Sequence, residues 1–406
     1  MNILLINHYA GGPELGMEFR PYYLANEWIK KGHHVLIIGA SFSHLRKKQP
    51  HHRFERIGKV PVYWIKTNQY KGNGLGRIIS MLLFVLKLYF LPKKLFKKFK
   101  TDVVIASSTY PLDNFPAKKI ARKFKAKYIY EIHDLWPLSP IELGGFSKNH
   151  PFVKVMQMAE NYAYKNCDAV VSMLPKAENH CKQQGLKDGK FHYVPNGIVK
   201  SEWENPTPLP SEHQLLIQKL KSDYKFLIGY AGAHGIANSL KAVIDAVAEL
   251  ENENVALILV GTGQEKEKLT LYVKNKLINN VYFLSPIVKN AIPSFLSQMD
   301  VLYIGLQRQS LFRFGISPNK LFDYMMAQKP IIQAIDAGNN PVREADCGIS
   351  VEPDNVENIK MAISTLLHVD NEERIRLGNN GFAFVNRHHT YDVLGRRFLE
   401  IMIKLK

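Results

Sequence analysis

A lysine, a carboxylate and a proline-led turn lie together in Gly315-Ile-Ser-Pro-Asn-Lys-Leu-Phe-Asp-Tyr-Met-Met-Ala-Gln-Lys-Pro330. Ser317 suits a helix N-cap, and Pro318 suits the first helical position, where a missing N–H costs nothing. Asn319 and Lys320 then fall in the first turn, where unpaired backbone N–H groups and the positive dipole end collect anions. Asp323 follows Lys320 by three residues, so both can face one ligand. Lysine plus helix N-terminus suits a diphosphate; a carboxylate one turn on suits sugar hydroxyls. Leu321, Phe322, Tyr324 and Met325 supply an apolar face at helical spacing, and Pro330 ends the helix before a buried strand at 331–335. An ordinary capped helix with a surface Lys–Asp pair has the same sequence.

A second group is Tyr130-Glu-Ile-His133-Asp134-Leu-Trp136-Pro137. Imidazole, carboxylate and indole at a strand end can hydrogen-bond to a sugar ring and stack on it; a lone histidine can equally be structural. Glu160 can reach the same place or stand as a helix-surface acid. Glycines mark three further turns. The first is Gly11-Gly12, followed by Glu18 and Arg20; the second carries Gly232, His234, Gly235 and Asn238; the third is Gly261-Thr-Gly263. Glycine lets backbone approach a phosphate or sugar closely, although a plain tight turn needs it too. Neither the dinucleotide G-x-G-x-x-G spacing nor a P-loop is present. Asn238 suits the N-cap of a helix over 239–250.

These residues need a frame, and the chain alternates strand-like and helix-like segments. Strands are expected at 2–7, 34–39, 60–66, 102–107, 127–132, 168–174 and 191–195. Helical patterns such as 19–31 and 116–124 lie between them. The rhythm restarts at 226–230, 255–260, 281–284, 301–305, 331–335 and 348–351. Continuous apolar strands alternating with helices argue parallel sheets covered on both faces. At 406 residues the chain exceeds one core. The expected architecture is α/β: two doubly wound domains, 1–200 and 223–388, a proline-bearing linker at 201–222, and a C-terminal helix at 389–406. Ligands of such sheets sit beyond the carboxyl ends of the strands, where the candidate residues fall.

Net charge is +18, concentrated early. Between Ser41 and Lys100 there are fifteen Lys and Arg against one acid, Glu55. The segment 74–100 embeds the apolar run 78–91, followed by Lys93, Lys94, Lys97, Lys98 and Lys100. The run is too short to span a bilayer, which takes about 20 residues. It suits an interfacial helix on an anionic membrane, or a buried helix with a solvated basic end. The run lacks the aromatic-interleaved polar character of a nucleic-acid groove, so no nucleic-acid partner is expected. Cys167, Cys181 and Cys347 show no metal or disulfide spacing. The first residues run straight into a strand, with no basic start or cleavage site, so no signal peptide is expected.

Taken together these features resemble GT-B glycosyltransferases, specifically glycosyltransferase family 4. The resemblance covers essentially the whole chain. Its most specific residues are His133-Asp134-Leu135-Trp136-Pro137 and Ser317-Pro318-Asn319-Lys320-Leu321-Phe322-Asp323-Tyr324-Met325. Gly32-His33-His34-Val35 and Val194-Pro195-Asn196-Gly197-Ile198 add to it. Together these residues look like the bacterial branch that builds surface polysaccharides, including N-acetyl-L-fucosaminyl transferases. The resemblance implies two Rossmann-like domains facing across a cleft, and a retaining transfer from a UDP-sugar without cofactor or metal. It implies that Lys320, with the helix start, stabilises the leaving diphosphate, and that Asp323 holds the ribose. Pro286 and Ile287 would meet the base. Gly11 and Gly12 would close on the phosphates, and a phosphate oxygen would take the acceptor proton. His133, Asp134 and Lys320 are the expected catalytic residues. Glu18, Arg20, Trp136 and Glu160 are expected on the acceptor side.

Departures from the family pattern are clear. Many members carry two glutamates eight positions apart around this helix; here Gly315 and Asp323 stand there. Asn238 stands where a basic residue is common. A histidine often follows the fourth strand, but this chain has Ser107-Ser-Thr-Tyr-Pro111, which puts His133 and Asp134 forward instead. The expected reaction takes a nucleotide-sugar donor to a polyprenyl-diphosphate-linked saccharide at the cytoplasmic face of a bacterial inner membrane, in capsule or O-antigen synthesis. A nucleotide-sugar epimerase of the same fold is the rival reaction. A non-catalytic basic membrane-binding scaffold is the rival from another class.

Overall fold

The computed structural model describes residues 1–72, 74–97 and 99–406. Lys98 of the basic run lies outside them. The chain divides into two compact units, Met1–Asn196 with Tyr391–Lys406, and Gly197–Thr390.

Unit 1 holds β1 (Asn2–Ile6), β2 (His34–Ala40), β3 (Phe54–Ile57), β4 (Val60–Ile65), β5 (Val103–Ala106), β6 (Lys127–Ile132), β7 (Ala169–Ser172) and β8 (Phe191–Tyr193). Their order in the sheet is β3-β4-β2-β1-β5-β6-β7-β8. All neighbours pair in parallel except β3 with β4. The central strands are apolar end to end because both sheet faces are covered, and Ile3–Ile6 is fully buried. The edge strand β3 is absent from the sequence reading. Its residues, Phe-Glu-Arg-Ile, are half charged and half exposed. The signal for it was the turn: Ile57 pairs with Val60, leaving Gly58 and Lys59 as a two-residue hairpin with Gly58 at φ +54°.

Helix α1 (Arg20–Lys30) begins on an ion pair that ties three parts of the sheet. Arg20 Nε and Nη2 reach Glu131 Oε1 at 2.9 Å. The same guanidinium donates to the Val194 carbonyl at 2.8 Å and to the Pro195 carbonyl. Both side chains are buried. Arg20 is therefore a structural post in the interior, not an acceptor-side group. Burial alone would raise the Glu131 pKa; Arg20, His133 and Ser107 outweigh it and hold it at about 2.

Helix α2 (Leu75–Leu88) is the apolar run of the basic segment. It buries Ser80, Met81, Phe84 and Leu88 and exposes Leu75, Ile79, Leu82 and Leu86. So one face is core and the opposite face is a bare apolar stripe at helical spacing. Among the described residues no helix is long and apolar enough to cross a membrane. The closing helix Tyr391–Lys404 packs on α1. Trp28 donates Nε1–H to the Gly395 carbonyl at 3.0 Å and meets Phe398 edge-on. Gly395 is small because a Cβ there would sit 2.8 Å from the Glu27 Cβ.

Unit 2 holds β9 (Phe226–Ala231), β10 (Val255–Val260), β11 (Val281–Leu284), β12 (Val301–Gly305), β13 (Ile331–Ala334) and β14 (Gly348–Val351). The order β11-β10-β9-β12-β13-β14 is all parallel and reverses between β9 and β12. The stretch 201–222 is not a linker. It contains the helix Ser211–Asp223, whose Ile217 and Leu220 join the core under the sheet.

Glu131→Gln would strand the Arg20 cation in the interior. It should cost roughly 3–5 kcal/mol, read as a lower denaturant midpoint at neutral pH. The Glu131 pKa is held below its ordinary value of 4.5, so its contribution is complete above that pH and is lost as pH falls towards 2. Wild type should therefore lose stability more steeply than the variant on acidification. Equal midpoints would contradict the pairing.

Candidate functional site

In an open parallel sheet the crevice forms where strand order reverses, beyond the carboxyl ends. In unit 2 that point lies after β9 and β12. The loop after β9 carries Gly232 to Asn238, and the helix Asn319–Met326 lies between β12 and β13. This helix starts one residue later than expected. Pro318, at φ −73° and ψ 126°, is its N-cap, so Ser317 lies before it and Pro318 is not the first helical residue. Asn319 is exposed in the first turn.

Lys320 is the centre of this half. Its Nζ donates to Tyr230 Oη and Asn238 Oδ1, each at 2.8 Å. It also sits 4.3 Å over the Tyr230 ring. Tyr230 spends its own hydrogen on the Ala233 carbonyl at 2.7 Å, leaving a lone pair for the lysine. Burial pushes the Lys320 pKa down to about 7. Among the described residues no carboxylate pairs with it. Asn238 is a lysine partner rather than a helix cap: it ends a short 3-10 turn, and the next helix starts at Leu240. Tyr230, at the end of an apolar strand, carries no mark of a site residue in the sequence.

The glycines here serve loop against loop. A Cβ on Gly261 would lie 1.9 Å from the Gly232 carbonyl oxygen, and one on Gly263 would lie 2.4 Å from that of His234. Gly232, at φ +156°, would bring a Cβ 3.0 Å from Lys320 Nζ. Gly235 alone would meet nothing closer than Asn238. His234 is buried, with both ring nitrogens unpartnered. Burial, with Lys266 and Lys320 nearby, pushes its pKa down to about 4, so it is neutral. His234 is fully buried, so its neutral imidazole packs inside the loop rather than standing open to a ligand as a donor-binding group.

Asp323 faces different neighbours from Lys320. Its carboxyl is hydrogen-bonded to Trp203 in the field of Lys289 and Glu202. Burial pushes its pKa up to about 7 against the pull of Lys289. Lys289 and Glu202 themselves pair at 2.5 Å. Trp203, Glu202 and Lys289 escaped the sequence reading because two of them lie in the stretch taken as linker. Pro286 is exposed three residues before Lys289, and Ile287 packs on the core.

In unit 1 the carboxyl end of β6 carries His133, with Nε2 2.9 Å from Ser107 Oγ. Ser107 donates to Glu131 Oε2 at 2.6 Å. Arg20, Glu131 and Ser107 thus form a buried line that fixes the imidazole. Glu18 lies in the field of His133 and Asp134, and burial raises its pKa. Asp134 is exposed at the strand end. It lines a cavity of about 420 Å³ with Arg77, Trp136, Phe146 and Phe152. Indole, phenyl, carboxylate and guanidinium around one hollow suit a saccharide.

Two expected site groups are placed elsewhere. Glu160 is buried, bonded to Tyr164, His180 and Gln157 at 3.0, 3.0 and 2.7 Å, so it cannot reach this hollow as an open acid. Gly11 and Gly12 give their N–H groups to the Glu18 and Gly16 carbonyls at 2.9 Å. Their amides are spent within the loop and are not open to a phosphate. A Cβ on Gly11 would lie 2.0 Å from the Gly16 oxygen. Among the described residues no three His, Cys, Asp or Glu groups are placed to hold a metal ion.

The depressed Lys320 pKa has a measurable consequence. Below about 7 the lysine is already charged; above it the free protein holds it largely neutral. A bound diphosphate raises that pKa, so binding at about pH 8 should take up a proton. Calorimetry in buffers of differing ionisation enthalpy reads this directly. Lys320→Met should lower the uptake measured for wild type. Unchanged uptake would show that the proton goes elsewhere.

Comparison with known proteins gives two family matches. Residues 16–202 match Glycosyltransferase Family 4, and residues 225–369 match Glycosyl transferases group 1. An uncharacterised glycosyltransferase of Methanocaldococcus jannaschii is 23% identical over 60% of each chain. WcaI of Escherichia coli K12, named for colanic acid biosynthesis, is 21% identical over 84% of this chain and 86% of its own. Among solved structures, sucrose-phosphate synthase from Thermosynechococcus elongatus superposes with a TM-score of 0.75 at 16% identity, over 100% of this chain and 99% of its own. Anabaena HepE in complex with UDP-glucose superposes at 0.67 and 16% identity, over 99% of each chain. Matched in sequence over both units and in fold over its full length, the chain is a glycosyltransferase of the GT-B fold.

Proposed function

We propose that the chain moves a sugar from a UDP-sugar to a lipid-linked saccharide, with retention at the anomeric carbon, in surface-polysaccharide synthesis. The observation that carries this reading is the half-buried Lys320 ammonium, held by Tyr230 and Asn238 at the strand reversal of unit 2. In the reaction the bond from the anomeric carbon to the diphosphate breaks and negative charge grows on the diphosphate. Lys320 meets that charge without reorganisation. Asp323 and Trp203 hold the ribose side. The acceptor hydroxyl oxygen forms the new bond, and its proton passes to a phosphate oxygen of the leaving group.

Unit 1 supplies the acceptor side. Trp136 and Phe152 give a sugar stacking surface, and Asp134 accepts hydrogen bonds from its hydroxyls. His133, fixed by Ser107, orients the reacting group. HepE, crystallised with UDP-glucose, and WcaI, named for colanic acid synthesis, support this donor and this product class. The donor sugar is an N-acetylated one such as N-acetyl-L-fucosamine. The bare stripe of α2 and its lysines hold the protein to the cytoplasmic face of a bacterial inner membrane.

The test is mass spectrometry of products from a panel of UDP-sugars, with and without polyprenyl-diphosphate-linked acceptors. Acceptor mass should rise by one sugar for one donor, with UDP released in equal amount. Donor altered in the absence of any acceptor would favour an epimerase and overturn the reading.

A further inference from the structure

Unit 1 has a second cavity that the transfer reaction does not use. It measures about 620 Å³ and lies between the loop 50–53, the end of β4 and the end of α2. We propose that it binds the phosphate headgroup of an anionic phospholipid. This rests on the membrane reading above and gives it a specific site.

The lining is cationic. Arg53, Lys66 and Lys87 all border the hollow, with His51 and His52 beside them. The one acid of the region is already occupied. Glu55 Oε1 accepts the backbone N–H of His51 and His52, and Oε2 faces Trp64 Nε1 at 3.3 Å. It folds the basic loop rather than filling the hollow. Lys87 Nζ donates to the Lys66 carbonyl at 2.7 Å, which pins the end of α2 against the end of β4. Two lysines and an arginine are thereby gathered around one space, which repels unless an anion enters.

Tyr63 points to the same conclusion independently. It lines the hollow, is only 6% exposed, and its hydroxyl has no hydrogen-bond partner. A buried hydroxyl left without a partner is costly, and a phosphate oxygen would supply one. The volume leaves ample room for a phosphoglycerol group.

The rim decides for a lipid over free phosphate. Phe90, 76% exposed, and Leu91 border the cavity on the side of α2. Phe90 continues the exposed line of Leu75, Ile79, Leu82 and Leu86. A headgroup in the hollow leaves its acyl chains against that stripe, whereas inorganic phosphate has no use for an apolar lip.

Full-length protein should be tested on vesicles of three parts phosphatidylcholine to one of phosphatidylglycerol. Arg53→Gln with Lys66→Gln should weaken binding about tenfold more than Lys93→Gln with Lys94→Gln, which removes equal charge outside the cavity. Tyr63→Phe, which keeps the ring and the fold, should weaken binding without any change of charge. Dihexanoyl phosphatidylglycerol below its micelle concentration should raise the melting temperature, and inorganic phosphate at equal concentration should not. Equal losses from the two charge pairs, with Tyr63→Phe silent, would mean diffuse attraction and overturn the site. Equal stabilisation by inorganic phosphate would overturn the lipid assignment. Leu82→Gln with Leu86→Gln tests the membrane reading itself: binding unchanged by that pair would sink the underlying reading, not only the cavity.

Discussion

Lys320 carries its charge into a half-buried position where a tyrosine oxygen and an amide oxygen meet it in place of a carboxylate. Neutral acceptors orient an ammonium without cancelling it. That leaves the cation short of negative charge, as its depressed pKa shows. A carboxylate partner would have neutralised the lysine. The rest of unit 2 follows from keeping this arrangement. Gly232 gives the lysine room, the crossing of the 232–235 and 261–263 loops fixes that glycine, and Tyr230 is aimed by the Ala233 carbonyl.

Unit 1 uses the opposite device. Arg20 and Glu131 cancel each other in the interior, and the pair is a fixture rather than a reagent. Its service to the site is indirect: Glu131 holds Ser107, and Ser107 holds His133 at the end of β6. Asp134, the next residue, is left exposed to whatever enters the hollow beside Trp136. A buried charge pair thus sets the direction of one imidazole.

The strands were legible because both sheet faces are covered, so each reads as an unbroken apolar run. β3 was not, since an edge strand with charged residues lacks that mark. The position of Lys320 in the first turn of a helix was legible from the proline-led turn before it. Its partners were not, because Tyr230 and Asn238 stand 90 and 82 positions away. Arg20 looks like a site group in sequence for the same reason: Glu131, Val194 and Pro195 lie more than a hundred positions away. Glycines mislead in a different way. Gly11, Gly12 and Gly263 signal tight backbone, and sequence cannot say whether ligand or protein fills the space. Here protein fills it.

The proposed transfer depends on Lys320 holding the terminal phosphate of the donor diphosphate. The most direct test compares UDP and UMP affinities for wild type and Lys320→Ala by calorimetry. Wild type should prefer UDP, by about 1.5–3 kcal/mol if one charge-assisted hydrogen bond is at stake, and the variant should bind both alike. A preference for UDP that survives the substitution would contradict the account.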